Sequence, residues 1–262
     1  MIHLKTEEQL EIMAQGGAIL SRILGELVAM AAPGISTVAL DAYAERRMRE
    51  EGGEPSFKGY RSDRRSPPFT SSVCISLNEE VVHAPATPDR TVQDGDLLKL
   101  DIGLRWGGLC TDMAVTVPIG TVDEAHLKLV RVTRESLLAG VEKVREGGWV
   151  SDVGKAVDKL VRRSGYTTVK DLVGHGVGLQ VHEGPSIPNY FDPGMPAVQF
   201  VQGMAVAVEP MVNMGAEDVR MKRDGWTVVT ADGSPSAHWE VTIGLTATGP
   251  RVLTPLPDVP GI

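Results

Sequence analysis

Cysteine and aromatic residues are scarce in this 262-residue sequence, and basic residues are in the minority. Cys74 and Cys110 are the two cysteines, and aromatic residues make up 5% of the chain. So few cysteines exclude a disulfide-rich secreted scaffold and favour two free thiols in the reducing cytoplasm. Lys and Arg number 26 against 34 Asp and Glu, which gives a net charge of -8. This balance argues against a protein that binds DNA or RNA in general.

Long apolar runs and linkers are missing as well. No uninterrupted apolar run approaches the roughly 18 residues that a membrane span needs, and the first residues, MIHLKTEEQLEIM, are too polar for a secretory signal. No low-complexity tract divides the chain, and its length is compatible with one large α/β domain. We therefore expect a single domain over residues 1–262 and no contact with a membrane.

Start and stop signals predict two pairs of helices. Thr6 and Gln9 match a capping box that opens a helix over about residues 7–32, and a second helix is expected over about 37–51. Two more helices are predicted further along the chain, over about 123–146 and, with Ser151 as the N-cap, over about 151–164. Strand-like segments follow each pair. Helix, helix, strands is therefore the expected order in residues 1–120 and again in 121–262.

The polar motifs repeat with the elements. VVHAP in the first half corresponds to QVHEGP in the second, and each half later has a glycine followed six residues on by an acid, Gly95 to Asp101 and Gly203 to Glu209. Internal repetition of this kind indicates a shared supersecondary unit. The sequence thus predicts an α/β (α+β) fold with two pseudosymmetric helix-helix-strand halves around a central, mostly antiparallel sheet.

Two aspartates flank a glycine turn in LDIGLRWGGLCTD. If this hairpin turns at Trp106 and Gly107, Asp101 and Asp112 face each other directly, with Cβ atoms roughly 4.5 to 5.5 Å apart. Like charges at that separation repel, so a positive partner is expected between them. Two explanations remain open on the hairpin alone: a bound cation, or a salt bridge to Lys99 or Arg105.

Further polar side chains occur in apolar surroundings. His175 and His182 are seven residues apart around a possible tight turn at Gly178 and Leu179, while Glu209 and Glu240 are predicted on buried strands. Each alone is explained as a core or edge residue. Together the acids would leave unpaired negative charge in the core unless cations neutralise it. Such a ligand set suits Mn²⁺, Fe²⁺ or Co²⁺, or Zn²⁺, and several acids can hold two ions about 3.5 to 4 Å apart, as in two-metal hydrolases.

Eight ordered segments resemble type I methionine aminopeptidases, which have the pita-bread fold, and they cover nearly the whole chain. They are PSFKGY, CISLNEEVVH, LKLDIG, TDMAVTV, GHGVGLQVHEGPSIPNY, GMAVAVEPMV, DGWTVVT and SAHWE. The resemblance implies a cytoplasmic, monomeric metalloprotease. It also implies two divalent ions, Co²⁺, Mn²⁺, Fe²⁺ or Zn²⁺, and removal of methionine from nascent polypeptides whose second residue is small.

The resemblance also implies roles for individual residues. The metal ligands would be Asp101, Asp112, His175, Glu209 and Glu240, with Asp112 and Glu240 shared by both ions. Glu209 would also transfer a proton, and His83 and His182 would contact the substrate. The pocket for the first side chain would be formed by Phe57, Tyr60, Phe69, Cys74 and Trp226, with Val181 beside it.

The sequence departs from the family pattern at three places. Ala84 stands where glycine is common, Val241 stands where histidine is frequent, and residues 61–72 form a longer segment than usual. None of the three removes an implied ligand.

Two other functions share this fold. One is an Xaa-Pro aminopeptidase or dipeptidase, a class that usually carries an added N-terminal domain, and the other is an inactive pita-bread adaptor, which the loss of a metal ligand would indicate. A separate hypothesis concerns a contact with ribosomal RNA near the exit tunnel. The basic residues for it are Lys58, Arg61, Arg64 and Arg65. A solvated loop is the competing interpretation, which the acidic chain favours.

Overall fold

The computed structural model describes residues 1–63 and 66–262. In this part of the chain the helices are α1 (Glu7–Met30), α2 (Thr37–Glu50), α3 (Glu124–Val141) and α4 (Val150–Arg163). The strands are β1 (Glu54–Pro55), β2 (Val73–Leu77), β3 (Glu80–Val82), β4 (Leu97–Trp106), β5 (Leu109–Pro118), β6 (Thr167–Thr168), β7 (Gly174–Gly176), β8 (Glu183–Ile187), β9 (Ala205–Val208), β10 (Met211–Asn213), β11 (Val219–Met221), β12 (Val228–Thr230), β13 (Ser236–His238), β14 (Glu240–Thr246) and β15 (Gly249–Val252).

Local sequence signals explain the start of α1. The Thr6 side chain accepts a hydrogen bond from the Gln9 backbone N–H, and the Gln9 side chain accepts one from the Thr6 N–H. Two of the unpaired N–H groups of the first turn are thereby satisfied. The predicted capping box is confirmed. The helix ends at Met30, two residues before the predicted end, because proline at position 33 disfavours a helical conformation at the preceding residue.

The second pair of helices differs from the prediction at two ends. Helix α3 ends at Val141 rather than near residue 146, and α4 begins at Val150 with Trp149 as its N-cap, so the predicted cap at Ser151 is wrong. Trp149 is held in an extended conformation because it bridges to Gln199 and because the Val150 N–H bonds a distant carbonyl, that of Val198. The start of α4 is therefore set by a tertiary contact and not by a capping side chain.

A nine-stranded sheet forms the centre of the described structure. Its strand order is β1-β4-β5-β14-β9-β7-β8, with β2 also paired to β4 and β15 to β14, and its strand pairs are antiparallel. Strands β4 and β5 come from the first half of the chain, β9 and β14 from the second, and the halves meet where β5 pairs with β14. The predicted antiparallel central sheet is confirmed. Two three-stranded sheets, β13-β10-β6 and β11-β12-β3, flank it.

The hairpin of β4 and β5 has a different register from the predicted one. Its turn is formed by Gly107 and Gly108, with φ of 55° and 82°, and not by Trp106 and Gly107. Positive φ at both turn residues is the requirement of a type I′ turn, which glycine meets without strain. Asp101 therefore faces Ala114, and the predicted direct pairing of Asp101 with Asp112 is wrong. The two acids share one face of the hairpin as diagonal neighbours.

The opposite face of the hairpin packs into the main core against α1. Helix α1 has the length and mean hydropathy that a membrane span would have, with half of its most apolar window buried. Its apolar side chains Leu20, Ile23, Leu24 and Leu27 are fully buried among residues of β4 and β5. Burial of these side chains against the sheet accounts for the apolar character of α1.

Candidate metal centre

Three adjacent strands bring acidic residues together on the face opposite α1. Asp101 on β4 is paired across the sheet with Ala114 on β5, and Ala114 is paired with Glu240 on β14. Asp112 lies one step along β5, facing Gly103. Because Ala114 and Gly103 are small, space remains between the carboxylates. The sheet thus arranges three acids around small residues, as the sequence predicted.

Hydrogen bonds fix the backbone of two acids. The Asp112 N–H donates to Thr242 Oγ1 at 3.0 Å, and the Thr242 hydroxyl donates back to the Asp112 carbonyl at 2.8 Å. This reciprocal pair replaces ladder bonds where β5 and β14 separate. Glu209 directly follows β9, and its carbonyl accepts a bond from Asn189 Nδ2 at 3.0 Å. Both carboxylates therefore project from a fixed main chain.

His175 enters the site on the short strand β7. A Cβ atom at Gly174 would come within 2.4 Å of the Ala207 carbonyl oxygen, and one at Gly176 within 2.1 Å of the Gly184 carbonyl oxygen. Glycine on both sides of His175 therefore allows β7 to pack closely between its neighbouring strands. The imidazole Nε2 lies 3.4 Å from Glu209 Oε1.

His182 reaches the same site by a longer path than predicted. The six residues between β7 and β8, 177–182, form a loop, so the predicted tight turn at Gly178 and Leu179 is wrong. Tertiary contacts shape this loop: the Cys110 N–H donates to the Gly178 carbonyl, and Lys5 forms a buried ion pair with Glu183 at 2.6 Å. The rings of His175 and His182 nevertheless meet, with centroids 4.4 Å apart.

Potential ligand atoms form two overlapping groups. One contains Asp112, His175 and Glu240, the other contains Glu209, His238 and Glu240, and within each group the atoms lie within 4.8 Å of one another. Glu240 belongs to both groups, the arrangement expected of a residue shared by two cations. Asp101 belongs to neither group, but it lies beside them in the sheet, one position across Ala114 from Glu240.

The electrostatics of the acids indicate a missing positive charge. Burial raises the pKa of Asp101 and of Glu209 to about 7. Burial, followed by the charges of the neighbouring acids, also raises the pKa values of Asp112 and Glu240 well above their ordinary range. Three buried oxygens, Asp101 Oδ1, Asp112 Oδ1 and Glu240 Oε1, have no hydrogen-bond partner among the described residues. A cation would stabilise these groups in their ionised form.

The alternative of a structural salt bridge is not supported. Lys99 Nζ donates to the carbonyl oxygens of Asn78 and Ser236, at 2.7 and 3.0 Å. Arg105 donates to two other carbonyls, of Gly108 and Leu179. Both basic side chains are thus directed away from the aspartate pair. Carboxylate oxygens with one or two imidazoles are ligands that fit a divalent transition-metal ion.

The histidines that border the acids are uncharged near pH 7. Burial, followed by the neighbouring His238 and His175, lowers the pKa of His83 to about 4. Desolvation, followed by His175 and His83, also lowers the pKa of His182, and because that side chain remains accessible from the cavity we take only the direction. His83 has a positive φ of 61°, an unusual conformation for a residue other than glycine. Such conformations occur at functional sites, where the surrounding structure enforces them.

A cavity of about 580 Å³ opens above the acids. The sequence-predicted residues line it together: Phe57, Tyr60, Phe69, Cys74, His83, Asp101, Asp112, His175, His182, Glu209, Trp226 and Glu240. Aromatic rings form one wall, with Phe69 and Trp226 edge to face at 5.3 Å and Tyr60 next to His182 at 4.9 Å. Val181 packs in the same cluster. Burial, followed by Asp101, raises the pKa of the Cys74 thiol, so this wall is uncharged.

One site residue was not assigned a role from the sequence. His238 is buried, and its Nε2 lies 3.6 Å from Glu209 Oε2. The available signal was the pattern HWE, because residues two apart on a strand share a face. Val241, by contrast, pairs with Met113 and Val208 and is buried in the main core, so this departure from the family pattern lies away from the acids.

The basic residues near the cavity are engaged within the protein where the structure describes them. Lys58 pairs with Glu45 at 2.6 Å, and Arg61 donates to the Ser66 carbonyl. Arg64 and Arg65, which belong to the hypothesis of an RNA contact, lie outside the described residues.

Comparisons with known proteins agree with this site. Residues 11–247 match the model of metallopeptidase family M24. The chain is 40% identical over 255 residues to a methionine aminopeptidase of Clostridium perfringens, covering 97% of this chain and 99% of the relative. It is also 41% identical over 254 residues to methionine aminopeptidase 1 of Bacillus subtilis, with the same coverage of both chains.

Solved structures show the same fold. The crystal structure of methionine aminopeptidase from Thermotoga maritima matches with a TM-score of 0.91 at 37% identity, covering 97% of this chain and 99% of that one. An Xaa-Pro dipeptidase from Bacillus anthracis matches with a TM-score of 0.76 at 21% identity, but the match covers only 63% of that longer chain, so this likeness concerns the fold alone. The predicted pita-bread fold is confirmed. With a matching family model over most of its length and near-full-length relatives, the chain belongs to metallopeptidase family M24.

Proposed function

We propose that this protein is a metal-dependent methionine aminopeptidase that removes the first residue of nascent polypeptides whose second residue is small. One observation carries the proposal: buried acids and imidazoles converge on the floor of a cavity whose wall is apolar and aromatic. The floor provides ligands for a hydrolytic metal centre, and the wall accepts an apolar side chain. The full-length relatives named methionine aminopeptidase support this assignment.

The metal centre would use the five ligands implied by the sequence, Asp101, Asp112, His175, Glu209 and Glu240, to bind two divalent ions. We expect Co²⁺, Mn²⁺, Fe²⁺ or Zn²⁺ from the mixed carboxylate and imidazole donors. Divalent ions bound to these residues would act as Lewis acids and lower the pKa of water towards 7. The membership of Glu240 in both ligand groups supports a shared role for it.

Three side chains would handle protons and the developing charge. Glu209 accepts a proton from the attacking water and returns it to the leaving amine. His182, which borders His175 in the cavity, donates a hydrogen bond to the oxyanion that forms at the scissile carbonyl. His83 bonds the backbone on the other side of the scissile bond. Their lowered pKa values support neutral imidazoles, which can donate a hydrogen bond while remaining uncharged.

The apolar wall would select methionine at the first position. Rings from Tyr60, Phe69 and Trp226, together with the neutral Cys74 thiol, surround the cavity beside the acids. A thioether is unbranched and gains roughly 0.3 to 1.5 kcal/mol from a contact with an aromatic ring. Leucine, which is branched, fits such a slot less well. The second residue would lie against His83, where little volume remains, so Gly, Ala, Ser, Thr, Val, Pro or Cys is accepted.

The test is release of free methionine from the peptide Met-Gly-Met-Met. The chelated protein should be inactive, and adding back single divalent metals should restore release and identify the preferred ion. Cleavage at full rate in excess chelator would disprove the metal-dependent mechanism. Preference for Xaa-Pro bonds regardless of the first residue would instead assign the protein to the Xaa-Pro peptidases.

We further propose that residues 1–262 form one catalytic domain that acts as a monomer on nascent chains in the cytoplasm. Light scattering of the active protein should give the mass of one 28.1 kDa chain. The ribosome contact is tested by co-sedimentation with empty ribosomes, comparing wild type with Lys58→Glu and Arg61→Glu. Since both side chains already have partners within the protein, we expect the charge reversals to leave co-sedimentation unchanged.

A further inference from the structure

His238 is a buried polar side chain that the proposed mechanism leaves unused. It is 1% exposed, and neither ring nitrogen has a hydrogen-bond partner among the described residues. An unsatisfied buried polar group costs about 1 to 3 kcal/mol, and buried polar groups in folded proteins nearly always have a partner. The imidazole therefore requires an explanation within the site.

The nearest acceptor for this ring is the carboxylate of Glu209. His238 Nε2 lies 3.6 Å from Glu209 Oε2, while His175 Nε2 lies 3.4 Å from Glu209 Oε1. Each oxygen of Glu209 thus faces a different imidazole. Hydrogen bonds of this type span 2.7 to 3.2 Å, so an adjustment of about 0.5 Å would make the bond from His238.

The two imidazoles approach Glu209 from different sides. Glu209 and His175 line the cavity, whereas His238 is not among the lining residues in the described ranges 1–63 and 66–262. His238 therefore contacts Glu209 from behind, on the protein side. The arrangement is that of a residue that holds a ligand in place, because the face of Glu209 towards the cavity stays open.

The backbone on both sides of this contact is fixed. The His238 N–H donates to Thr116 Oγ1 at 2.9 Å, and the Thr116 hydroxyl donates to the His238 carbonyl at 2.8 Å. The Asn189 amide fixes the Glu209 carbonyl in turn. The remaining freedom of Glu209 is rotation of its side chain, which a hydrogen bond from His238 would restrict.

We propose that His238 is a positioning residue, in which a neutral imidazole donates its Nε2–H to Glu209 Oε2 and orients that carboxylate towards the metal centre. This inference rests on the proposed function of Glu209 as a metal ligand. Hydrogen bonds from behind a ligand are a general feature of metal sites, and their loss lowers metal affinity by roughly 10 to 100-fold. The competing arrangement is direct ligation, since His238 also groups with Glu209 and Glu240.

The first experiment determines the state of the wild-type imidazole. The whole protein, labelled with ¹⁵N in its histidines and loaded with Zn²⁺, is examined by long-range ¹H–¹⁵N correlation, and the ring of His238 is assigned by its loss in His238→Gln. We expect the neutral tautomer with the proton on Nε2. A metal-bound Nε2, an unprotonated Nε2 or a doubly protonated ring would each overturn the proposal.

The second experiment measures Zn²⁺ affinity by competition with a chromophoric chelator. His238→Met keeps an apolar side chain of similar size but has no donor, so it should lose roughly 10 to 100-fold in the affinity of one ion. His238→Gln retains a donor and should recover most of that loss. The control is His126→Gln, a substitution at a partly exposed histidine on α3, which should match wild type.

Three results would contradict this role. Unchanged affinity in His238→Met means that the ring does not act on Glu209, and equal losses in the Met and Gln variants mean that it is a ligand or a purely structural residue. Circular dichroism of each metal-free variant checks that it folds, while the tautomer measurement needs no stable variant. Failure of the proposed function is distinguishable, because wild type would then release no methionine on metal addition.

Discussion

Replacing Asp101 with asparagine should stabilise the metal-free protein at alkaline pH. Burial raises the pKa of Asp101 from 3.8 to about 7 in the folded state. A group of this kind contributes its full stability below the unfolded pKa and loses it as the pH rises through the folded pKa. Ionised Asp101 therefore destabilises the metal-free fold above pH 7. Three pKa units correspond to about 4 kcal/mol of unfolding free energy.

The net gain in Asp101→Asn should be smaller than this figure. A buried amide without a complete set of partners costs about 1 to 3 kcal/mol, which leaves an expected gain of about 1 to 3 kcal/mol at pH 8. For a chain of this size each kcal/mol shifts the melting temperature by roughly 2 to 4 °C. The variant should thus melt about 2 to 10 °C above wild type in chelator at pH 8.

The assay is thermal unfolding in excess chelator from pH 5 to pH 8. The gap between variant and wild type should widen with pH, because the other titrating groups are common to both proteins and cancel in the difference. Asp258→Asn, at an exposed position, is the matched control and should show no such widening. A variant that melts below wild type at pH 8 would show that Asp101 has a stabilising partner in the metal-free fold, and would refute the reasoning.

Three further predictions concern single residues and the substrate. His175→Ala should lose metal in elemental analysis, whereas His182→Ala should keep it and lose roughly a hundredfold in kcat; equal metal loss in both would reverse these roles. Thr242→Val removes the bonds to the Asp112 backbone and should lower the unfolding free energy in urea by about 1 to 3 kcal/mol relative to Thr242→Ser, and equal stability of the two would mean that these bonds contribute nothing. In a panel of Met-X-Gly peptides, cleavage should fall sharply once X is larger than valine, and Met-Leu or Met-Lys peptides cut as fast as Met-Ala would contradict the proposed entrance.

Local signals in the sequence were sufficient for the elements and for most of the candidate site. The capping box at Thr6 and Gln9 determines the start of α1, because both hydrogen bonds lie within four residues. The acids stood out because ionisable side chains on apolar strands need a partner wherever the strands lie. The residues that line the cavity were accordingly named before the structure was known, by ligand chemistry and by family resemblance.

Only the tertiary structure decided register and approach. The diagonal relation of Asp101 and Asp112 follows from positive φ at Gly107 and Gly108, and a shift of one residue in the turn changes every partner across the hairpin. The start of α4 and the loop before His182 depend on strand pairing and on the Lys5 ion pair, which join residues far apart in the chain. His238 emerged in the same way. Its burial behind Glu209 arises where β13 packs beside β10, and a partner so distant in sequence leaves no local pattern to read.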